Sequence, residues 1–287
     1  MRVGRIPYIN CFPVYGGVDR GVVPLDATLV DGVPTTLNRM MAEGTLDVSV
    51  VSAVEYARDW ERYVLLPDLA ISCDGPVRSV MLFSNRPAEE LSGQPVLVSR
   101  SSMTSVHLLE LLFEHVWHAS PTFVPGDAER EALSSSSSED VVARLVIGDA
   151  ALMLQSEGHP VAAGHGPKYP HVYDLGAEWK RWTGLPFVFA VWVAQRTTPV
   201  ADALKVHAAL IASRDWGMKH LDELAAQAAR TTGVSTRECR RYFNDLDWRL
   251  NLPDLEGLSE FLRRLALAGR VPKGKLAFLP AVSSGTR

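Results

Sequence analysis

Cysteine is scarce in this sequence, and its spacing argues against two common uses of the residue. The 287 residues contain three cysteines, Cys11, Cys73 and Cys239, and no two of them form a CxxC pair. An odd number of widely spaced cysteines favours neither a disulfide framework nor a zinc site.

Clustered positive charge and long apolar runs are also missing. The formal net charge is -4, from 29 Lys and Arg against 33 Asp and Glu, and the basic residues are scattered. A nucleic-acid groove needs a basic stripe, so we expect no nucleic-acid partner. The longest apolar runs, such as Leu185–Ala194, are shorter than the roughly 20 residues that span a bilayer, and no signal peptide is evident. We therefore expect a cytoplasmic, soluble protein without a membrane partner.

The patterns that bind nucleotides, flavins or catalytic metals are absent as well. The sequence contains no GxSxG, GxGxxG, Walker or HExxH pattern. A glycine-rich stretch around His159 and His165 matches no phosphate-binding pattern, and a run of five serines, residues 134–138, has the composition of a loop. We expect neither a metal nor another cofactor, so that chemistry would depend on placement, hydrogen bonding and the reactivity of the substrate.

Strands and helices alternate through the first two thirds of the chain. Short apolar segments, from Val3–Ile6 to Leu185–Ala194, are separated by segments of helical periodicity. This alternation predicts an α/β fold with mostly parallel sheets covered on both faces. The remainder is predicted to be helical over residues 199–213, 217–232, 235–244 and 254–268.

The alternating pattern divides into two similar units, which predicts two lobes with a central cleft. Crossovers near residues 85 and 186 separate them. Residues 1–86 together with 187–287 would form lobe 1, and residues 87–186 would form lobe 2.

Polar residues follow many of the predicted strands, where parallel sheets bind their ligands. These strand ends are Tyr8–Asn10, Ser52, Ser84, Ser101–Ser105 (including Met103) and Gly148–Asp149. They carry hydroxyl and amide groups and one carboxylate, and we take them as candidate substrate-binding positions.

The segment RSSMTSVHLLELLF offers the clearest binding signal. It delivers Ser102, Thr104 and Ser105 to the start of a helix, where free backbone N–H groups and hydroxyls can hold a carboxylate or phosphate. Simple N-capping needs only one serine. Ser52 begins a helix in the first unit, so two helix N-termini facing one cleft would suit a substrate with two carboxylates.

Asp149 is the only acidic residue at a predicted cleft position. Its place directly after an apolar strand is compatible with a general base, with a group that orients a neighbouring hydroxyl, or with a helix cap. The sequence does not choose among these roles.

Six motifs in order resemble one enzyme family. They are PYINCFPVY, VPTTLNRMMAEGTLDVSVVSAVEYAR, LVSRSSMTSVHLLELL, VIGDAAL, DLGAEWKRWTGLPFVFAVW and RYFNDLDWRL. Together they cover most of the chain, and they resemble the chorismate dehydratases of the futalosine route to menaquinone. The resemblance implies a periplasmic-binding-protein-like fold of type II topology. It also implies a cofactor-free lyase that eliminates water from chorismate and gives 3-[(1-carboxyvinyl)oxy]benzoate.

A second family is similar in fold but differs in two of these motifs. The 1,4-dihydroxy-6-naphthoate synthases, which act on cyclic dehypoxanthinylfutalosine, are expected to have an SPCPND-like opening and a histidine where this chain has Gly148. The YINCFP opening and Gly148 favour the dehydratase. A solute-binding protein and a ligand-sensing domain are further alternatives, although no export signal or helix-turn-helix is evident.

The resemblance allows roles to be assigned as hypotheses. Ser102, Thr104 and Ser105 would hold one carboxylate, and Ser52 would hold the other or the leaving hydroxyl. Asn10 would donate a hydrogen bond to the departing oxygen, while Tyr8 and Ile9 would contact the ring. The proton acceptor would be either Asp149 or the enolpyruvyl carboxylate of the substrate. The oligomeric state is not predicted.

Overall fold

The computed structural model describes residues 1–133, 141–156 and 169–280. The serine run and the glycine-rich stretch around His159 and His165 lie outside the described residues. No helix within the described ranges has the length and apolar character that crossing a membrane requires.

Two five-stranded sheets organise the described residues. In the first sheet β1 pairs in parallel with β2 and β3, and β10 runs antiparallel between β3 and β4. Its strands, in the spatial order β2-β1-β3-β10-β4, are β1 (Arg2–Arg5), β2 (Thr28–Asp31), β3 (Val48–Ser52), β4 (Tyr63–Cys73) and β10 (Phe187–Gln195). The central β3 and β10 are almost wholly buried, in keeping with their continuous apolar sequences.

The second sheet repeats this plan with a different set of strands. Here β6 pairs in parallel with β7 and β8, while β5 runs antiparallel between β8 and β9. Its strands, in the order β7-β6-β8-β5-β9, are β5 (Val80–Ser84), β6 (Pro95–Ser99), β7 (Thr122–Gly126), β8 (Ala143–Ile147) and β9 (His171–Asp174).

The chain passes from the first sheet to the second earlier than the sequence indicated. The predicted boundary after residue 86 places Val80–Ser84 in lobe 1, but this strand pairs with β8 and β9. The crossover therefore lies between Cys73 and Val80. All five residues of β5 are buried, and a short apolar run of this kind fits the centre of either sheet, so its sequence alone does not assign it.

Helices cover the sheets of both lobes. They are α1 (Phe12–Asp19), α2 (Pro34–Ala42), α3 (Ala53–Arg58), α4 (Met103–His115), α5 (Ala128–Leu133), α6 (Gly148–Gln155), α7 (Leu175–Thr183), α8 (Val200–Lys219), α9 (Leu221–Thr232), α10 (Thr236–Asp245) and α11 (Leu252–Leu267). We use lobe 1 for the first sheet with α1–α3 and α8–α11, and lobe 2 for the second sheet with α4–α7. The sequence patterns did not reveal α5 or the edge strand β9.

Helix α8 continues through the break that was predicted between residues 213 and 217. Gly217 does not end the helix; it lets α1 approach closely, because a β-carbon there would lie 2.1 Å from the Pro13 carbonyl oxygen. On the same face of α8, the hydroxyl oxygen of Ser213 accepts hydrogen bonds from the backbone N–H groups of Gly17 and Val18. These contacts fix α1, and with it the segment that links β1 to α1.

We expect Gly217→Ala to destabilise the protein, although alanine normally stabilises a helix interior. Alanine is favoured over glycine there by about 0.5–1 kcal/mol. Backbone atoms of Pro13 obstruct the added methyl group, so we expect the free energy of unfolding in urea to fall by about 1–3 kcal/mol. Ala208→Gly, at an exposed site of α8, measures helix propensity alone. A more stable G217A protein would contradict the close packing of α1 on α8.

Candidate active site

A cavity of about 70 Å³ lies between the lobes, and both lobes line it. Its lining residues are Ile6, Tyr8, Asn10, Pro34, Ser52, Ile71, Phe189 and Ala190 from lobe 1, Val77 and Ser79 from the crossover, and Val80, Ser102, Ser105, Ile147 and Gly148 from lobe 2. Six of the residues predicted from strand ends are among them: Tyr8, Asn10, Ser52, Ser102, Ser105 and Gly148.

Asn10 brings an unpartnered polar atom into this cavity. The segment after β1 forms a single 3₁₀ turn over Ile9–Cys11, and the indole N–H of Trp248 donates a 2.7 Å hydrogen bond to the backbone carbonyl of Asn10. The side-chain Oδ1 of Asn10 is buried and has no hydrogen-bond partner within the part of the chain that the structure describes. Since an unpaired buried acceptor costs about 1–3 kcal/mol, this atom is one that a donor from a ligand or an ordered water would satisfy.

Ser52 is held in place so that its hydroxyl hydrogen is available to a ligand. It caps α3, and its Oγ accepts hydrogen bonds from the backbone N–H of Glu55 (3.1 Å) and from Nδ2 of Asn38 (3.2 Å). The Ser52 N–H in turn donates to Oδ1 of Asn38. A hydroxyl has two acceptor sites and one donor, so with both lone pairs engaged the Ser52 O–H can donate into the cavity. Asn38 was missed by the sequence analysis because it lies within a helix, not at a strand end.

The turn before α4 supplies the serines of lobe 2. Ser102 caps this helix, accepting a hydrogen bond from the Ser105 N–H (3.2 Å) and donating one to Ser105 Oγ (2.8 Å). Both side chains line the cavity. Their hydroxyls therefore stand beside the positive end of the α4 dipole, which favours an anion.

Thr104 and Met103 join the lobes instead of lining the cavity. Thr104 Oγ1 is buried and accepts a 3.1 Å hydrogen bond from the Val54 N–H in the first turn of α3. Met103 Sδ lies 3.3 Å from an Nη atom of Arg58, also in lobe 1. The helices α3 and α4 consequently meet through their N-terminal ends, with the cavity beside the junction.

Asp149 also lies at the boundary of the lobes, outside the cavity lining. Its Oδ1 accepts a 3.2 Å hydrogen bond from the Ile9 N–H, so Ile9 is held by its backbone and does not line the cavity either. Burial raises the pKa of Asp149 to about 6, and the hydrogen bond from Ile9 opposes this shift. Of the three roles that the sequence leaves open for Asp149, this contact fits the orienting one. The group that Asp149 orients is a backbone N–H and not a hydroxyl.

Gly148 and Tyr8 form a close contact across the cleft. Gly148 has a left-handed backbone (φ 63°), and a β-carbon there would lie 3.3 Å from the Tyr8 ring. Burial is the main cause that raises the pKa of Tyr8 to about 12, so the phenol stays protonated. A side chain larger than hydrogen at position 148 would displace the ring that forms this wall of the cavity.

The prediction that Ser84 lies at the cleft is wrong, because β5 runs antiparallel to β8. Ser84 pairs with Ala143 at the start of β8, and its hydroxyl donates to the backbone carbonyl of Arg86. The beginning of β5 is the end that reaches the cleft, which explains why Ser79 lines the cavity. The Tyr242 hydroxyl donates a 2.9 Å hydrogen bond to Ser79 Oγ.

The three cysteines of the sequence are free and buried. Across residues 1–133, 141–156 and 169–280, no three His, Cys, Asp or Glu side chains come together as metal ligands.

The carboxyl of Asp149 gives the stability of the fold a specific pH dependence. Because burial raises its folded pKa to about 6 from 3.8, the folded protein holds a proton that the unfolded chain loses first. Stability therefore falls as the pH rises from about 4 to 6, by about 3 kcal/mol at most. The side chain of Asp149→Asn does not titrate, and its amide oxygen can still accept the hydrogen bond from the Ile9 N–H. In urea unfolding we expect the variant to gain stability relative to the wild type between pH 4 and pH 7, and parallel pH profiles would contradict this.

The family model described as "Menaquinone biosynthesis" matches residues 1–267 of the chain. The chorismate dehydratase of Thermus thermophilus is 32% identical over 278 residues, which cover 91% of this chain and 96% of that protein. The 1,4-dihydroxy-6-naphtoate synthase of Streptomyces coelicolor is 27% identical, over 95% of each chain.

The fold itself is shared with transport receptors. The periplasmic aliphatic sulphonate binding protein SsuA of Escherichia coli superimposes with a TM-score of 0.63, at 14% identity, over 100% of this chain and 94% of that one. At this identity the likeness concerns the fold, and it confirms the predicted two-lobed, periplasmic-binding-protein-like α/β architecture.

Proposed function

The chain belongs to the menaquinone biosynthesis family, and we propose that it is a hydro-lyase that eliminates water from chorismate to give 3-[(1-carboxyvinyl)oxy]benzoate. The observation that carries the proposal is the meeting of the N-terminal ends of α3 and α4 beside one cavity. The N-terminus of α4 favours an anion, and Ser52 offers a free O–H donor from lobe 1, while chorismate has two carboxylates. A cytoplasmic location is part of this proposal, since the relatives of the chain are enzymes of biosynthesis.

The elimination needs little chemical assistance beyond placement and charge stabilisation. The C3 proton of chorismate is acidified through the conjugated ring carboxylate, and the C4 hydroxyl leaves as water, so that C3 and C4 become part of an aromatic ring. Donors aimed at the ring carboxylate stabilise the charge that builds up there when C3 loses its proton. Ser105 is placed for this role, because the Ser102 O–H donates to Ser105 Oγ and leaves the Ser105 O–H free to donate. Ser52, from lobe 1, would hold the second carboxylate.

Asn10 is assigned to the leaving hydroxyl. Its Oδ1 lacks a partner among the described residues and can accept from the substrate hydroxyl, while the amide N–H₂ of the same group can donate to the oxygen as it departs. The bond from Trp248 to the Asn10 carbonyl fixes the backbone from which this side chain projects. Orientation of a reacting group in this way lowers the barrier without a cofactor.

We assign the proton acceptor to the enolpyruvyl carboxylate of the substrate. Asp149 is the protein alternative, but it lies outside the cavity lining and its Oδ1 is engaged by the Ile9 N–H. The enolpyruvyl group is attached to C3 itself, so its carboxylate is close to the proton that is removed.

Substrate entry requires the lobes to separate. A cavity of about 70 Å³ is smaller than the 300–1,000 Å³ of typical small-molecule sites. Opening would break the contacts that join the lobes, among them Val54 to Thr104 and Ile9 to Asp149.

Incubation of the purified protein with chorismate tests the proposed reaction directly. We expect aromatisation of the ring, followed by ultraviolet absorbance, and a product that matches 3-[(1-carboxyvinyl)oxy]benzoate. Binding of chorismate without any absorbance change would instead support a carboxylate-binding protein. Turnover of cyclic dehypoxanthinylfutalosine alone would support the naphthoate synthase reaction.

Substitutions at Asn10 and Asp149 separate their roles. We expect Asn10→Ala to lower kcat about 100-fold while KM changes little, because the group acts on the departing oxygen. Its unfolding midpoint should stay close to that of the wild type, since Oδ1 makes no internal hydrogen bond within the described residues. Asp149→Asn is the matched comparison and should keep a near-normal kcat. A loss of kcat in D149N comparable to that in N10A would make Asp149 the base.

A further inference from the structure

Glu129 is a half-buried carboxylate behind the cavity, and the proposed reaction does not use it. It lies in the first turn of α5, close to the phenol of Tyr8, and it is not part of the cavity lining. Its Oε1 accepts a 3.3 Å hydrogen bond from the Ile147 N–H at the end of β8. The hydroxyl of Ser99, at the end of β6, lies beside the same carboxylate, and this contact lowers the pKa of Glu129.

The two residues that contact Glu129 are each connected to a part of the cavity wall. Ile147 precedes Gly148, whose left-handed backbone touches the Tyr8 ring. Ser99 Oγ accepts a 3.0 Å hydrogen bond from the Ser101 N–H, and Ser101 precedes the capping residue Ser102. One carboxylate therefore connects the two strand ends of lobe 2 that face the cleft.

A role in attracting the substrate does not account for this carboxylate. A negative charge behind a cavity for a dianion opposes binding, and burial raises the pKa of Glu129 despite the bonds from Ser99 and Ile147. An acceptor-only group is what two converging donors, an N–H and an O–H, require, and an ionised acceptor makes the stronger bonds. The negative charge of Glu129 therefore serves to fix the Ile147 N–H and the Ser99 hydroxyl in place.

We propose that Glu129 is a positioning residue that sets the spacing between the Ser102–Ser105 turn and Gly148. With this spacing, the ring carboxylate and the ring of the substrate are held at the same time. This inference rests on the proposed function for its substrate. It does not make Glu129 a proton donor or acceptor in the reaction. Its effect reaches the substrate through Ser102, Ser105 and the Gly148–Tyr8 contact.

Steady-state kinetics of Glu129→Gln and Glu129→Ala with chorismate test the proposal. The Ser102–Ser105 turn binds the ring carboxylate of the substrate and stabilises the added charge in the transition state, so we expect a rise in KM together with a fall in kcat. The expected rise is about tenfold for E129A and smaller for E129Q, which keeps one acceptor of the same size. Arg130→Ala is the matched control, because this side chain on the same helix is 81% exposed, and it should leave KM and kcat unchanged.

A purely structural role for Glu129 predicts a different result. Loss of folded protein lowers kcat in proportion to the active fraction and leaves KM as in the wild type. Wild-type KM values in both Glu129 variants would overturn the proposal. If E129A does not fold, E129Q still decides, since it differs from the wild type by one atom and should fold.

Calorimetric binding of 3-[(1-carboxyvinyl)oxy]benzoate separates this inference from the proposed reaction. A wild-type protein that binds this compound but does not turn over chorismate would reject the reaction, while weaker binding in E129A would still support the positioning role. Equal affinity in the wild type and both variants would overturn the positioning role even if chorismate is turned over.

Discussion

The site depends on one hydrogen bond between the lobes, from the Val54 N–H to Thr104 Oγ1. Without an acceptor between them, the N-terminal ends of α3 and α4 would face each other with like partial charges. The threonine hydroxyl satisfies one of the free N–H groups and lets the two ends approach. The remaining positive potential is directed at the cavity, where Ser52, Ser102 and Ser105 add hydroxyl groups. The anionic substrate that we propose would therefore meet hydroxyl groups from both lobes.

The side chains of the cavity are oriented by residues behind them. Asn38 holds Ser52 by two hydrogen bonds, and Tyr242 donates to Ser79. Trp248 fixes the backbone of Asn10, and Glu129 connects the strand ends of lobe 2. A cofactor-free elimination relies on accurate placement of the substrate, and accurate placement requires supporting contacts of this kind.

The sequence predicts those parts of the site that follow from parallel strands. Ser52, Ser102 and Gly148 come after β3, β6 and β8, and the structure brings all three to the cavity. The same reasoning fails for Ser84, because nothing in an apolar pentapeptide reveals that β5 runs antiparallel. Residues within β10, such as Phe189, are equally hidden, since a strand-end rule cannot select a position in the middle of a strand.

Other residues could not be assigned because their partners are distant in the chain. Thr104 and Asp149 were predicted at the cleft and lie outside the cavity lining, and their hydrogen bonds to Val54 and Ile9 depend on how the lobes meet. A break in the helix was predicted between residues 213 and 217, and only the proximity of Pro13 shows why glycine is needed at position 217. Local patterns determine the elements, whereas contacts between elements determine what a given side chain does.

The bond from Trp248 to Asn10 has a consequence for how much of the chain the site requires. Every residue that lines the cavity lies at or before Ala190, so a fragment ending after β10 would contain the whole lining. Such a fragment would lack Trp248 and Tyr242, and the backbone at Asn10 and the hydroxyl of Ser79 would lose their supports. The C-terminal helices therefore support the cavity, and cleavage ahead of residue 242 would separate its lining from the residues that orient it.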